Sequence, residues 1–306
     1  MNDKIIIDTD VGDDIDDAFA LTLACKAGMD IAGITTVFRN SFQRAQMAKR
    51  LLKLCGRGDV EVRAGADLPL VQRIEYLRPP EMLAKEEKDG YYTLPQFMPD
   101  MESEEVSGEH AVDFIIRKAR EFANKLVIVG IAPLTNIALA IRKAPDIVKK
   151  VKEIRLIAGY YTKDVPEWNI ACDPEAARIV YTSGIPVKAA GLDVTMQCPL
   201  SDDELAIFRE DKNAANELIG VMMDKWFEHY KFERPVMHDP LIIADMLAPS
   251  IVEYEDKNVC VGLCGDKRGK TILEENDTLD SGRIKVGLAV SPEKFFAVFK
   301  KYVFDK

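Results

Sequence analysis

The chain has little that would staple, anchor or export it. Its six cysteines (Cys25, Cys55, Cys172, Cys198, Cys260 and Cys264) are scattered over 306 residues without a C-x-x-C pair. Cys260 and Cys264 stand four apart, but no histidine near them in sequence completes a zinc site. That usage predicts reduced, structural thiols in a cytoplasmic protein. No segment approaches the roughly 20 apolar residues that span a bilayer. The start, MNDKIIIDTD, has an acid at position 3 and only three apolar residues in a row, unlike a signal peptide.

Basic residues are also in the minority, 41 Lys and Arg against 51 Asp and Glu, for a net charge of −10. A protein that binds the nucleic-acid backbone needs clustered Lys and Arg, so that class is excluded. The balance favours cations, neutral small molecules or plain solubility. Hydrophobic residues at 47% and charged residues at 30% exclude disorder as the main state. The length suffices for a large core. With no repeat, low-complexity tract or shift in composition, residues 1–306 read as a single domain.

Apolar runs alternate with helical patterns. Strands are predicted at Ile5–Asp8, Ile31–Val37, Val60–Ala64, Leu126–Ile131, Ile154–Ala158 and Val187–Ala190. Helices are predicted between them at Ile15–Lys26, Ser41–Cys55, Ala111–Ala123, Leu134–Arg142 and Pro174–Thr182. Short apolar strands separated by helices mark parallel βαβ units, so the fold class is α/β, a doubly wound, mostly parallel sheet with helices on both faces. Two stretches break the rhythm. Val71–His110, with Pro79-Pro80 and the charged run Lys85–Asp89, reads as a long surface excursion. Ser201–His229 reads as one helix, followed by another at Pro240–Met246. Such excursions are expected to form a lid over the carboxyl ends of the strands.

The distinctive feature is Asp8-Thr9-Asp10-Val11-Gly12-Asp13-Asp14-Ile15-Asp16-Asp17, six carboxylates without a basic residue where the first strand meets the first helix. Ligands bind at the carboxyl ends of strands in doubly wound sheets, and Gly12 lets the chain turn sharply. Helix capping accounts for one or two of these acids, at Asp13 or Asp14. Six so close repel one another unless a cation or protons neutralise them. All-oxygen ligands point to Ca²⁺ or Mg²⁺ rather than zinc. An EF-hand is excluded, because a strand precedes the loop and the required glycine and glutamate spacing is missing. A Mg²⁺-dependent phosphatase with Asp8 or Asp10 as nucleophile is a competing reading, as is a non-catalytic calcium-containing nucleoside- or ribose-binding protein.

The segment Ile5–Ala20, IIIDTDVGDDIDDAFA, resembles the N-terminal signature of the inosine-uridine preferring nucleoside hydrolases, in a variant with two extra residues before the final acid pair. Gly33–Asn40 (GITTVFRN), Ala64–Leu70 (AGADLPL), Pro133–Ala138 (PLTNIA), Glu167–Ala177 (EWNIACDPEAA), Gly191–Thr195 (GLDVT), His238–Pro240 (HDP) and Arg268–Thr271 (RGKT) resemble further family blocks in family order. The resemblance implies a calcium-dependent enzyme that hydrolyses the N-glycosidic bond of ribonucleosides in purine or pyrimidine salvage, as a homo-oligomer (dimer or tetramer). It implies Asp10 as calcium ligand and general base, Asp17 and Asp239 as further ligands, and Thr135 as the donor of a backbone carbonyl. Asp16, Asn40, Glu167 and Asn169 would bind the ribose, and His238 would stand beside the leaving base.

The residues themselves leave room for plainer roles. Asn136 is placed to cap the helix that follows it. His238-Asp239-Pro240 reads as a helix start, and His110 and His229 as surface or packing residues. Trp226 and Tyr230 share a helix face, for the core or for an aromatic wall against a base. Three departures from the family pattern stand out. Gly159–Pro166 is short and lacks the asparagine that would bind the ribose 5′-hydroxyl, leaving Tyr160, Tyr161 or Thr162 to substitute. Arg39 replaces a glycine before Asn40, and Val71–Val106 contains no histidine.

Overall fold

In the computed structural model, which describes residues 3–71, 87–88, 91–210 and 213–304, every strand predicted above is present. The strand β1 (Lys4–Thr9) is the apolar run Ile5-Ile6-Ile7, buried on both faces as a central parallel strand must be. It pairs in parallel with β2 (Ile31–Thr36) on one side and β6 (Leu126–Gly130) on the other. β3 (Val62–Ala64) extends the sheet beyond β2, while β7 (Val151–Ile157) and β8 (Val187–Ala190) extend it beyond β6, all parallel. Among the described residues a two-residue hairpin of β4 (Glu87–Lys88) and β5 (Tyr91–Tyr92) stands apart from this sheet.

The remaining strands have no counterpart in the sequence reading. β9 (Val252–Val261), β10 (Thr271–Glu274) and β11 (Ser281–Val290) complete the order β10-β9-β11-β8-β7-β6-β1-β2-β3. β11 joins β8 in parallel, whereas β9 is antiparallel to both β11 and β10. The stretch expected as one helix over Ser201–His229 is two, Asp202–Glu210 and Ala214–Tyr230. The second starts afresh where the Asn213 side chain accepts from Ala215 N, a cap that competes with helix continuation. Pro79-Pro80 and much of Lys85–Asp89 lie outside the described residues.

The parallel arrangement determines where chemistry can occur. β1, β2, β6, β7 and β8 all end at the same edge of the sheet, so the segments that follow them are neighbours. After β1 comes the acid loop and α1 (Asp16–Lys26); after β2 come the turn at 37–40 and α2 (Ser41–Leu54). After β7 comes the segment leading to Glu167 and the short helix Trp168–Cys172. The helix His238–Leu247 packs against α1, and its Asp239 N–H donates to Asp16 Oδ2 at 3.2 Å. The two helix N-termini therefore meet at the acid loop.

Candidate active site

At this edge lies a cavity of about 270 Å³. Among the described residues that line it, seven are acids: Asp10, Asp13, Asp14, Asp16, Asp17, Glu167 and Asp239. Asp8 is not one of them. It is fully buried below the loop and accepts from Thr35 Oγ1 (2.6 Å) and Asn136 Nδ2 (2.9 Å), so it is no surface nucleophile. Burial pushes its carboxyl up to about 7.

The loop carrying the acids is built from its neighbours. Gly12 has φ +124°, in the left-handed region, and a Cβ there would meet Met47 Sδ at 3.0 Å. Thr9 Oγ1 donates a short bond to Asp17 Oδ1 and accepts from the Val11 N–H. Asp14 accepts from Ile15 N at 2.7 Å, but no side chain caps the start of α1, so the capping role expected of Asp13 or Asp14 is not filled there. Asp13 does something else, because Arg44 Nη2 lies 2.9 Å from its Oδ2 and Tyr92 donates to its Oδ1 at 2.5 Å. The sequence reading missed Arg44. The one available signal was a charge on the apolar stripe of α2, between Ser41 and Ala48 and in line with Leu51.

Carboxylate oxygens of Asp16, Asp17 and Asp239 all lie within 4.8 Å of one another, and all three residues are buried. Burial, and then the charges of their neighbours, holds each of the three carboxyls well above the usual carboxylate range. Positive helix N-termini ease some of this repulsion, since Asp16 and Asp17 open α1 and Asp239 lies in the first turn of its helix. What remains calls for a cation, and a hard, all-oxygen set fits a divalent ion of the Ca²⁺ or Mg²⁺ type. Asp16, expected at the sugar, is thus part of the tight acid group. Asp10, expected as a ligand, lines the same cavity outside that group. Its carboxyl is raised to about 7, chiefly by burial and then by Asp13 and Asp8, against the pull of Arg44. Thr135 is buried at the start of the helix after β6, and its hydroxyl donates to Asp173 Oδ2 at 2.6 Å.

Glu167 and Asn169 also line the cavity. Glu167 caps its helix, accepting from Asn169 N (2.8 Å), Ile170 N (3.1 Å) and Gly159 N (2.9 Å), while burial raises its carboxyl. Asn169 Nδ2 donates to the Ile157 carbonyl at 2.9 Å. Asn40 is not among the lining residues; its amide donates to Gln43 Oε1 (2.6 Å) and the Tyr92 carbonyl (3.1 Å). Tyr160, Tyr161 and Thr162 are absent from the lining too, and the Tyr161 hydroxyl is buried against Tyr181 and the Ala158 carbonyl. Arg39 stacks on Tyr92, 3.5 Å from the ring centroid.

His238 lines the cavity with its Nδ1 2.7 Å from Thr195 Oγ1, and burial pushes the imidazole down to about 4. Trp168, Tyr230 and Phe232 form apolar walls, with Tyr230 and Phe232 stacked at 5.6 Å and an interplanar angle of 5°. Trp226 is a core residue behind them. The exposed His110 caps the helix Ala111–Glu121 through Nδ1, and His229 is exposed.

The chain is 30% identical to "Probable uridine nucleosidase 2" of Arabidopsis thaliana, with 94% of this chain and 93% of the relative covered. It is also 30% identical to the "Pyrimidine-specific ribonucleoside hydrolase RihB" of Escherichia coli, over 98% of this chain and 96% of that one. Among solved structures, the "Purine-Preferring Ribonucleoside Hydrolase from Gardnerella vaginalis" superposes with a TM-score of 0.81 at 28% identity, covering 98% of each chain. No helix among the described residues is long and apolar enough to cross a membrane. The profile of the inosine-uridine preferring nucleoside hydrolases matches residues 5–297, so the chain belongs to that family.

Proposed function

We propose that the chain, acting as one domain over residues 1–306, is a calcium-dependent ribonucleoside hydrolase of cytoplasmic nucleoside salvage. Family membership supports N-glycosidic hydrolysis. The observation that carries the finer reading is the meeting, in one cavity, of Asp10, Glu167 and Asn169 with the close oxygens of Asp16, Asp17 and Asp239. Asp10, Asp17, Asp239 and the Thr135 carbonyl would hold the ion, with Asp16 shared between ion and sugar. Bound there, calcium supplies charge neutralisation and a fixed orientation for water and ribose diol.

The chain's own residues do the rest. Asp10 takes the proton of the attacking water at a carboxylate oxygen. Asp16, Glu167 and Asn169, joined by Asn40, bind ribose hydroxyls, and the surrounding carboxylates favour the positive charge that develops on the sugar ring. Trp168, Tyr230 and Phe232 pack on the base. His238 lies beside that base as a neutral imidazole at pH 7, a hydrogen-bonding partner for the departing ring nitrogen. Water attacking opposite the base inverts the anomeric carbon without a covalent intermediate. A homo-oligomer, dimer or tetramer, is expected from the family resemblance.

The test is ribose release from a panel of purine and pyrimidine ribonucleosides. Wild type is compared with Asp10→Asn, each after chelation and after return of Ca²⁺ or Mg²⁺. We expect release by wild type, loss on chelation, recovery with Ca²⁺, and a fall of about 10³-fold in Asp10→Asn, within the usual range for a general base. If no nucleoside is cleaved while Asp10→Asn still binds ligand, the chain is a binding protein and the proposal fails.

A further inference from the structure

The acid loop is gripped from below by a single side chain. Arg44 of α2 is fully buried, and all three of its nitrogens donate. Nε donates to the Phe38 carbonyl at 2.6 Å and Nη1 makes a short bond to the Asp10 carbonyl, with Val11 O at 3.2 Å. Nη2 pairs with Asp13 Oδ2 at 2.9 Å. Tyr92 holds the other oxygen of Asp13, and Gln96 Nε2 donates to the Asp13 and Asp14 carbonyls at 2.7 and 2.9 Å.

Packing alone does not need this residue. Burying a guanidinium costs several kcal/mol before its partners compensate, and its neighbours on the helix, Ala45 and Ala48, are buried and apolar. A planar fork with donors in several directions is, however, well suited to fixing a loop of carbonyls. The Asp10 carbonyl adjoins the Cα that bears its carboxylate, so fixing that peptide fixes where the carboxylate points.

We infer that Arg44 is a positioning residue for the hydrolysis. By holding the Asp10 carbonyl and the Asp13 carboxylate, with Tyr92 as second grip, it sets the direction of the Asp10 carboxylate. This rests on the functional reading above. The grip makes no bond to the side chains of Asp16, Asp17, Asp239 or Glu167, so at saturating cation its loss acts on turnover through Asp10 and leaves the other ligands and the sugar site in place.

The experiment compares wild type, Arg44→Gln, Arg44→Lys and Tyr92→Phe by steady-state kinetics on the best nucleoside found. Terbium luminescence titration counts cation sites and measures their affinity. We expect kcat per cation site to fall about 100-fold in Arg44→Gln, the cost of a reacting group misplaced by about 1 Å. Arg44→Lys falls at least tenfold, because an ammonium lacks the fork. Tyr92→Phe falls about fivefold, one net hydrogen bond. At saturating cation KM stays within about threefold of wild type in all of them, and terbium affinity, to which Asp10 contributes as one of several ligands, falls by a smaller factor than kcat, a pattern that simple loss of stability does not produce. If Arg44→Gln does not fold, Arg44→Lys and Tyr92→Phe decide.

Unchanged kcat per site in the folded variants overturns the inference and leaves the functional reading intact. A loss of cation affinity as large as the loss of kcat at saturating cation also overturns it, since Arg44 would then only maintain the site. A wild type that cleaves no nucleoside overturns the functional reading and this inference with it.

Discussion

Asn136 donates to Asp8 at 2.9 Å, joining the first turn of the helix after β6 to the penultimate residue of β1. The same amide donates to the Thr36 carbonyl at 3.0 Å, and its oxygen accepts from Ala66 N at 3.0 Å. It does not cap its helix, the plainer role open to it in the sequence. Instead, one side chain ties together the ends of β1, β2 and β3. Asn136→Ala removes two buried hydrogen bonds and one part-buried one at about 1 kcal/mol each and strands the buried partners, so we expect a loss of about 3 kcal/mol. Urea unfolding measures it, and a loss below about 1 kcal/mol would show that water replaces the amide.

Cation removal has a pH signature. In the cation-free protein, burial and mutual repulsion raise the carboxyls of Asp16, Asp17 and Asp239 above their unfolded values. The folded state then binds more protons than the unfolded state, so stability falls as pH climbs from the ordinary carboxyl range near 4 towards neutrality. A bound divalent ion replaces those protons. The melting temperature of chelator-stripped, desalted protein should drop between pH 5 and pH 8, and the gain on adding Ca²⁺ should widen over the same interval. A gain that is constant with pH would mean the ion binds elsewhere.

How far the site could be read from sequence depended on how local its cause was. β1, α1 and the acid loop follow from a short apolar run, a glycine and a helical pattern within 20 residues, and their bounds came within a residue or two. Arg44 reaches Asp13 across 31 residues, and nothing in the decapeptide itself announces a buried counter-charge. β9 was illegible for another reason. Its centre, Glu253 to Lys257, has three exposed acids and no regular apolar alternation, so it looks like surface until β11 and β10 pair with it. The break near Asn213 was masked by a pattern that stays helical on both sides.

The aromatic wall should govern substrate affinity more than stability. Phe232 is 56% exposed, yet it lines the cavity and stacks on Tyr230. Phe232→Ala gives up little buried area, so its melting temperature should stay close to that of wild type. It should raise KM for the preferred nucleoside about three- to tenfold, the range of an aromatic contact of about 0.5–1.5 kcal/mol, with kcat nearly unchanged. An unaltered KM would remove Phe232 from the base site.

Asp10→Asn should separate activity from stability. The Asp10 carboxyl is buried and raised to about 7, so keeping it ionised above neutrality strains the folded, cation-free protein. Asparagine has nearly the same volume, carries no charge, and leaves intact the bond from Arg44, which goes to the residue 10 carbonyl. Arg44 also retains Asp13 as its counter-charge. The cation-free variant should therefore be more stable than cation-free wild type at pH 8, by an amount of order 2 kcal/mol. That gain should vanish near pH 4, where the wild-type carboxyl is protonated. Thermal unfolding of both stripped proteins at the two pH values is the measurement. A variant less stable at pH 8 would show that the Asp10 carboxylate holds the loop together, and its loss of turnover could then not be assigned to a missing base.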